Sequence, residues 1–156
     1  MNIFAVVFNT TLFVIDMYIM VSALEWIFNL EKIECKCSED YRRDYVKYYI
    51  MMYIIINPIM FVYSTYVMIY NKEYNFSILM TMVRLILMTL FLVNLVFSIE
   101  YIQKLKNDKC GCSEDQKREI YSIYNWIRVG LLSLTAFVIL MSSIIVFILG
   151  ITKGNK

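Results

Sequence analysis

Four cysteines, Cys35, Cys37, Cys110 and Cys112, are the residues of this chain best equipped for chemistry, and they form two Cys-x-Cys pairs. Thiolates so arranged bind a soft metal, form disulfides, accept an acyl chain or stay reduced. If both pairs converge, four sulfurs satisfy the tetrahedral all-thiolate coordination that zinc favours. Zinc sites usually place two to four residues between paired cysteines, however, and a single one tends to splay the sulfurs. Disulfides are the rival outcome, with three pairings open to four cysteines. Acylation is disfavoured, because Cys35 lies about ten residues beyond the interfacial Glu25, too far from an acyl layer. Spacing alone leaves zinc, disulfides and free thiols open.

The remaining equipment for catalysis is thin. The chain contains no histidine, the side chain best suited to proton transfer near neutral pH and the commonest nitrogen ligand for metals. It shows no phosphate-binding glycine loop, zinc-protease pair or nucleophile–base constellation. The expectation is a protein that is not an enzyme and has no cofactor other than a candidate zinc. Fifteen basic and 13 acidic residues give a net charge of +2, without the one-sided excess that binds nucleic acid.

The cysteines sit in a motif that occurs twice. Glu25-Trp26-Ile27, Leu30, Cys35-x-Cys37-Ser38-Glu39-Asp40 and Arg42-Arg43 return as Glu100-Tyr101-Ile102, Leu105, Cys110-x-Cys112-Ser113-Glu114-Asp115 and Lys117-Arg118, at a constant offset of 75 residues. Each copy lies between two long apolar runs. Of the 156 residues 60% are hydrophobic, against about 45 to 50% in soluble domains. Four runs reach the length of about 20 residues that a spanning helix needs: 3–24, 48–70, 76–99 and 129–151. The expected fold is all-α, an integral membrane four-helix bundle of two tandem transmembrane hairpins, residues 1–75 and 76–156. The start of the chain has no basic residue and no cleavage pattern, so the first run reads as a retained anchor.

Four crossings put both termini and the Asn71–Asn75 turn on one side and both cysteine tips on the other. Lys32, Lys36, Arg42, Arg43, Lys47, Lys104, Lys106, Lys109, Lys117 and Arg118 crowd the tip side, and only Lys72, Lys153 and Lys156 the other. Positive residues stay cytosolic during insertion, so the tips are expected in the cytosol. Ser38 and Ser113, each followed by two acidic residues, read as N-caps of helices that stand above the lipid. Trp26 and Tyr101 suit the headgroup belt, and Glu25 and Glu100 are expected to pair with Arg43, Lys47 or Arg118 of the returning helix.

Charges inside the spans are costly and therefore suspect. Asp16 and Arg84 lie within the runs, and Arg128 enters the fourth at a depth closer to that of Asp16, so an Asp16 ion pair with either arginine is expected. Asn57, Asn94 and Asn125 read as interhelical hydrogen-bonding groups.

With its repeated Cys-x-Cys-Ser-Glu-Asp and basic flanks Arg42-Arg43 and Lys117-Arg118, the chain resembles small multi-span membrane proteins of nucleocytoplasmic large DNA viruses. That resemblance implies a structural component of the virion's internal membrane, or a membrane-linked minor capsid protein, made at a host endomembrane. Partners would be the bilayer, capsid or other membrane proteins, and further copies of itself. Glu39, Asp40, Arg42, Arg43, Glu114, Asp115, Lys117 and Arg118 are the expected contact residues. It also implies that virus-encoded oxidases can form disulfides on the cytosolic side. Two other readings remain: a small transporter or channel lined by Asp16, Arg84, Asn57 and Asn94 with Pro58 as hinge, and a thiol- or zinc-based sensing module.

Overall fold

The computed structural model describes the backbone of residues 3–70 and 78–154, all of it helical apart from the two tips. The Asn71–Asn75 turn and the side chains of Lys72, Arg84, Lys153 and Lys156 lie outside the described residues. Four long helices form: α1 (Ile3–Lys32), α2 (Tyr41–Tyr70), α3 (Ile78–Asn107) and α4 (Gln116–Gly154). All four are long and apolar enough to cross a membrane. Such sequences have little alternative in lipid, where each backbone N–H and C=O must find its partner within the helix. At about 1.5 Å per residue the 30-residue helices reach about 45 Å, longer than a hydrocarbon core of about 30 Å. α2 continues through Pro58, whose ring removes one backbone donor.

The same device ends α1 and α3. Cys35 N–H donates to Leu30 O and Glu34 N–H to Glu31 O, while Glu34 adopts a φ of 50°. Cys110 N–H donates to Leu105 O and Lys109 N–H to Lys106 O, with Lys109 at a φ of 48°. This is a Schellman stop with a left-handed residue that is ordinarily glycine, sealed by contact between the following residue and the last apolar one. Cys35 and Leu30 share the buried core, as do Cys110 and Leu105.

The returning helices start two residues later than expected. Short 3-10 turns, Lys36–Ser38 and Gly111–Ser113, follow the stops. Ser38 and Ser113 do not cap α2 and α4; their hydroxyls donate back to Cys35 O and Cys110 O at 2.7 Å and close the turns. Asp40 and Asp115 are the caps, their Oδ1 atoms accepting from Arg42 N–H at 2.9 Å and Lys117 N–H at 2.8 Å. A carboxylate there also offsets the positive end of the helix dipole, which a hydroxyl does not.

α1 packs on α2 and α4, and α3 packs on the same two, so the helices run in chain order around a four-helix bundle. The buried core lies on the tip side and includes Met20, Trp26, Ile27, Leu30, Val46, Ile50, Tyr101, Ile102, Leu105 and Tyr121. Toward the termini the apolar side chains face outward, as at Phe4, Ile59, Leu134 and Phe137.

Candidate functional site

The 3-10 turns solve the problem of the single intervening residue. Within each Cys-x-Cys the two sulfurs stand 3.7 Å apart instead of splaying. Between the tips Cys35 is bonded to Cys112 and Cys37 to Cys110, with Cα atoms 6.1 and 5.9 Å apart, so both bridges join one hairpin to the other. Cys35 and Cys110 are buried, whereas Cys37 and Cys112 are exposed. All four sulfurs lie within 4.8 Å of one another.

Around the sulfurs, contacts made by one tip recur 75 residues on in the other. Trp26 Nε1 donates to Ser113 O at 3.3 Å, and Tyr101 Oη to Ser38 O at 2.9 Å. Each aromatic ring is almost fully buried and reaches into the opposite tip. Both are covered by protein and not presented on the outer face of the bundle, where a headgroup belt was expected to use them. Lys117 Nζ meets Glu25 Oε2 at 2.6 Å, and Arg42 Nη1 meets Glu100 Oε2 at 3.1 Å. These pairs run between hairpins, where register within a hairpin had been expected. The returning-helix bonds are Lys47 to Glu31 at 2.7 Å and Lys106 to Glu119 at 2.7 Å. Arg43 and Arg118 turn inward, their Nη1 atoms donating to Ser38 Oγ at 3.3 Å and Ser113 Oγ at 2.9 Å.

Asp40 shows the electrostatics of the tip. Its carboxylate is nearly buried and accepts from Lys104 Nζ at 2.8 Å and Arg42 Nε at 3.2 Å. Burial pushes its pKa up, but the bonds from Lys104 and from the Arg42 backbone and side chain outweigh that and hold it below the usual carboxylate range. Of the expected contact residues, Asp40, Arg42, Arg43, Lys117 and Arg118 are thus engaged within the protein. Asp115 Oδ1 is occupied by its cap bond, and Glu39 and Glu114 are exposed.

A second polar centre lies nine residues below Glu25 on α1, about 14 Å toward the termini. Asp16 Oδ1 accepts from Arg128 Nη2 at 2.6 Å and from Tyr124 Oη. Its Oδ2 accepts from Tyr53 Oη at 2.6 Å and Asn57 Nδ2 at 3.2 Å. The Arg128 guanidinium also lies 4.2 Å from the Tyr124 ring centre and 5.1 Å from that of Phe91, so all four helices contribute. Among the described residues Arg128 is therefore the arginine paired with Asp16. The Asp16 carboxylate has four donors and the Arg128 guanidinium lies against aromatic rings, but Arg128 Nη1 is buried without a partner among the described residues, so the pair is desolvated and only partly satisfied.

Tyr53 and Tyr124 are the hydrogen-bond partners of Asp16 that sequence reasoning missed. Arg128 lies four residues after Tyr124, one helical turn, and that spacing was the available signal. Asn57 bonds across helices as expected, but Asn94 and Asn125 do not. Both are fully buried, and neither side-chain nitrogen nor oxygen has a partner among the described residues. One turn nearer the tip on the same seam, Ser98 Oγ and Tyr121 Oη lie 3.0 Å apart. Compared with known protein families, characterised proteins and solved structures, the chain shows no match.

Proposed function

We propose that the protein is a structural multi-pass membrane protein built from two duplicated helical hairpins clamped together at their cytosolic tips. On the resemblance of its Cys-x-Cys-Ser turns, its setting is the internal membrane of a large DNA virus particle or the host endomembrane that supplies it. There the tips face capsid or neighbouring membrane proteins, and the apolar outer faces meet lipid or further copies.

The observation that carries this reading is the reciprocal tip lock. Two cross-hairpin bridges, three cross-hairpin ion pairs and two buried aromatic donors tie the same ends together. Alternating access requires one half of a transporter to rock against the other. A lock of this kind suppresses that motion and suits a spacer or anchor. A groove of about 400 Å³ that reaches Asp16 past Asn9, Phe13 and Asn57 is the observation favouring a transporter or channel.

The test is made in liposomes with intact protein. The scaffold reading expects ion and solute flux equal to that of empty vesicles. It also expects that, after cleavage at a protease site inserted in residues 71–77, the two hairpins stay together in mild detergent. Selective flux abolished by Asp16→Asn overturns it in favour of transport. Protease protection checks orientation, with Lys36 and Lys109 expected to be cleavable from the cytosolic face.

A further inference from the structure

We propose that the four-cysteine cluster is a zinc site when the cysteines are reduced, with Cys35, Cys37, Cys110 and Cys112 as its four ligands. This rests on the cytosolic orientation proposed above. In that compartment disulfides rarely persist, and paired cysteines more often serve metals or catalysis.

The geometry of the sulfurs supports it. A regular tetrahedron with zinc–sulfur bonds of about 2.3 Å has edges of about 3.8 Å. Four of the six edges of the cluster are 3.7, 3.7, 3.7 and 3.3 Å. Only the two bonded edges have to open when the bridges are absent. The single-residue spacing, the main objection from sequence, is overcome by the 3-10 turns that aim both sulfurs of each pair to one side.

The surroundings carry charges of both signs, with Glu34 adjoining Cys35, Arg43 paired with Asp44 and Arg118 paired with Glu119. Four thiols that bind one Zn²⁺ release four protons and leave a complex of net charge −2, with no change of oxidation state. Lys36 and Lys109 adjoin ligands in the chain, and Arg43 and Arg118 hold the Ser38 and Ser113 hydroxyls that close the two turns. Cys37 and Cys112 are exposed, which leaves an entry path. Zinc and the two disulfides use the same sulfurs and exclude one another, and either joins hairpin to hairpin.

The experiment uses the full chain in detergent, reduced with a phosphine, freed of metal and titrated with Co²⁺. One Co²⁺ per chain with the absorption bands of a tetrahedral tetrathiolate, displaced by Zn²⁺, is expected. Replacing an outer-shell group of a metal site costs about 10- to 100-fold in affinity, so Cys112→Ser should cost more than about 100-fold at unchanged helical circular dichroism. Absence of thiolate-to-cobalt bands in the reduced wild-type chain overturns the proposal, however the variant behaves. Should protease protection place the tips outside the cytosol, the orientation falls even if Co²⁺ binds. Cytosolic tips on a reduced chain that binds no metal sink the zinc site alone.

Discussion

The tip half and the terminal half of this molecule are built on different principles. Between the sulfurs and Asp16, apolar residues such as Trp26, Leu30, Tyr101 and Leu105 are buried against one another, and the polar edges of Trp26 and Tyr101 meet partners across hairpins. Beyond Asp16, the same four helices present Phe8, Leu12, Ile59, Leu85 and Val138 outward. In a bilayer, lipid solvates hydrocarbon as well as another helix does, and apolar surface alone would hold these helices to one another only weakly. Among the described residues, both bridges and the ion pairs between Glu25 and Lys117, Glu100 and Arg42, and Asp40 and Lys104 lie on the tip side and fix how the hairpins meet there.

The largest expected effect comes from breaking the pair at the boundary of the two halves. Asp16→Leu leaves Arg128 uncompensated and should destabilise the protein by about 3 to 5 kcal/mol in detergent denaturation. Asp16→Leu with Arg128→Met should recover only part of that, because Tyr53, Tyr124 and Asn57 still lose their acceptor. A double variant no better than the single one would show that the pair does more than satisfy itself. Next comes a contrast that tests the two halves directly. Trp26→Ala should cost about 3 to 5 kcal/mol, whereas Leu134→Ala on the outer face should stay within about 0.5 kcal/mol. Equal losses would erase the distinction.

A smaller effect carries a pH signature. Asp40 titrates below its unfolded value, so its contribution is complete above about pH 4. It fades as pH falls through the ordinary carboxylate value toward the lower folded one. Asp40→Asn should cost about 1.5 kcal/mol at neutral pH and flatten this part of the acid limb of stability. An unchanged limb would assign the acid sensitivity elsewhere. The smallest effect has the opposite sign. Glu34 and Lys109 hold left-handed φ values, so Glu34→Gly or Lys109→Gly should stabilise by about 0.5 kcal/mol in thermal melts, strain relief exceeding the added chain entropy. Destabilisation by either would mean that the side chain matters more than its backbone.

Much of the tip was legible from residue types, though its connections were not. The repeated Glu25 and Glu100 announced paired carboxylates, but they were expected to bond within a hairpin, because a returning helix is the nearest source of cations. The bundle instead sets Lys117 opposite Glu25 and Arg42 opposite Glu100. Trp26 and Tyr101 suggested an interface for the same reason that they serve a core: each has an apolar body and a polar edge. Which use applies depends on whether another protein segment covers the ring. Ser38 and Ser113 had the composition of caps, yet Asp40 and Asp115, two residues on, took that place because the hydroxyls were already closing the turns.

The sequence by itself determined four long helices, the two Cys-x-Cys tips at their junctions and the rarity of charge between them. Those are local properties: apolar runs of that length hydrogen-bond within themselves in lipid, and charge collects where they end. Only the tertiary structure decided that Cys35 meets Cys112 and Cys37 meets Cys110, and that Asp16 takes Arg128, 112 residues away. Such choices depend on the register and order of helices around the bundle, and no single helix carries that information.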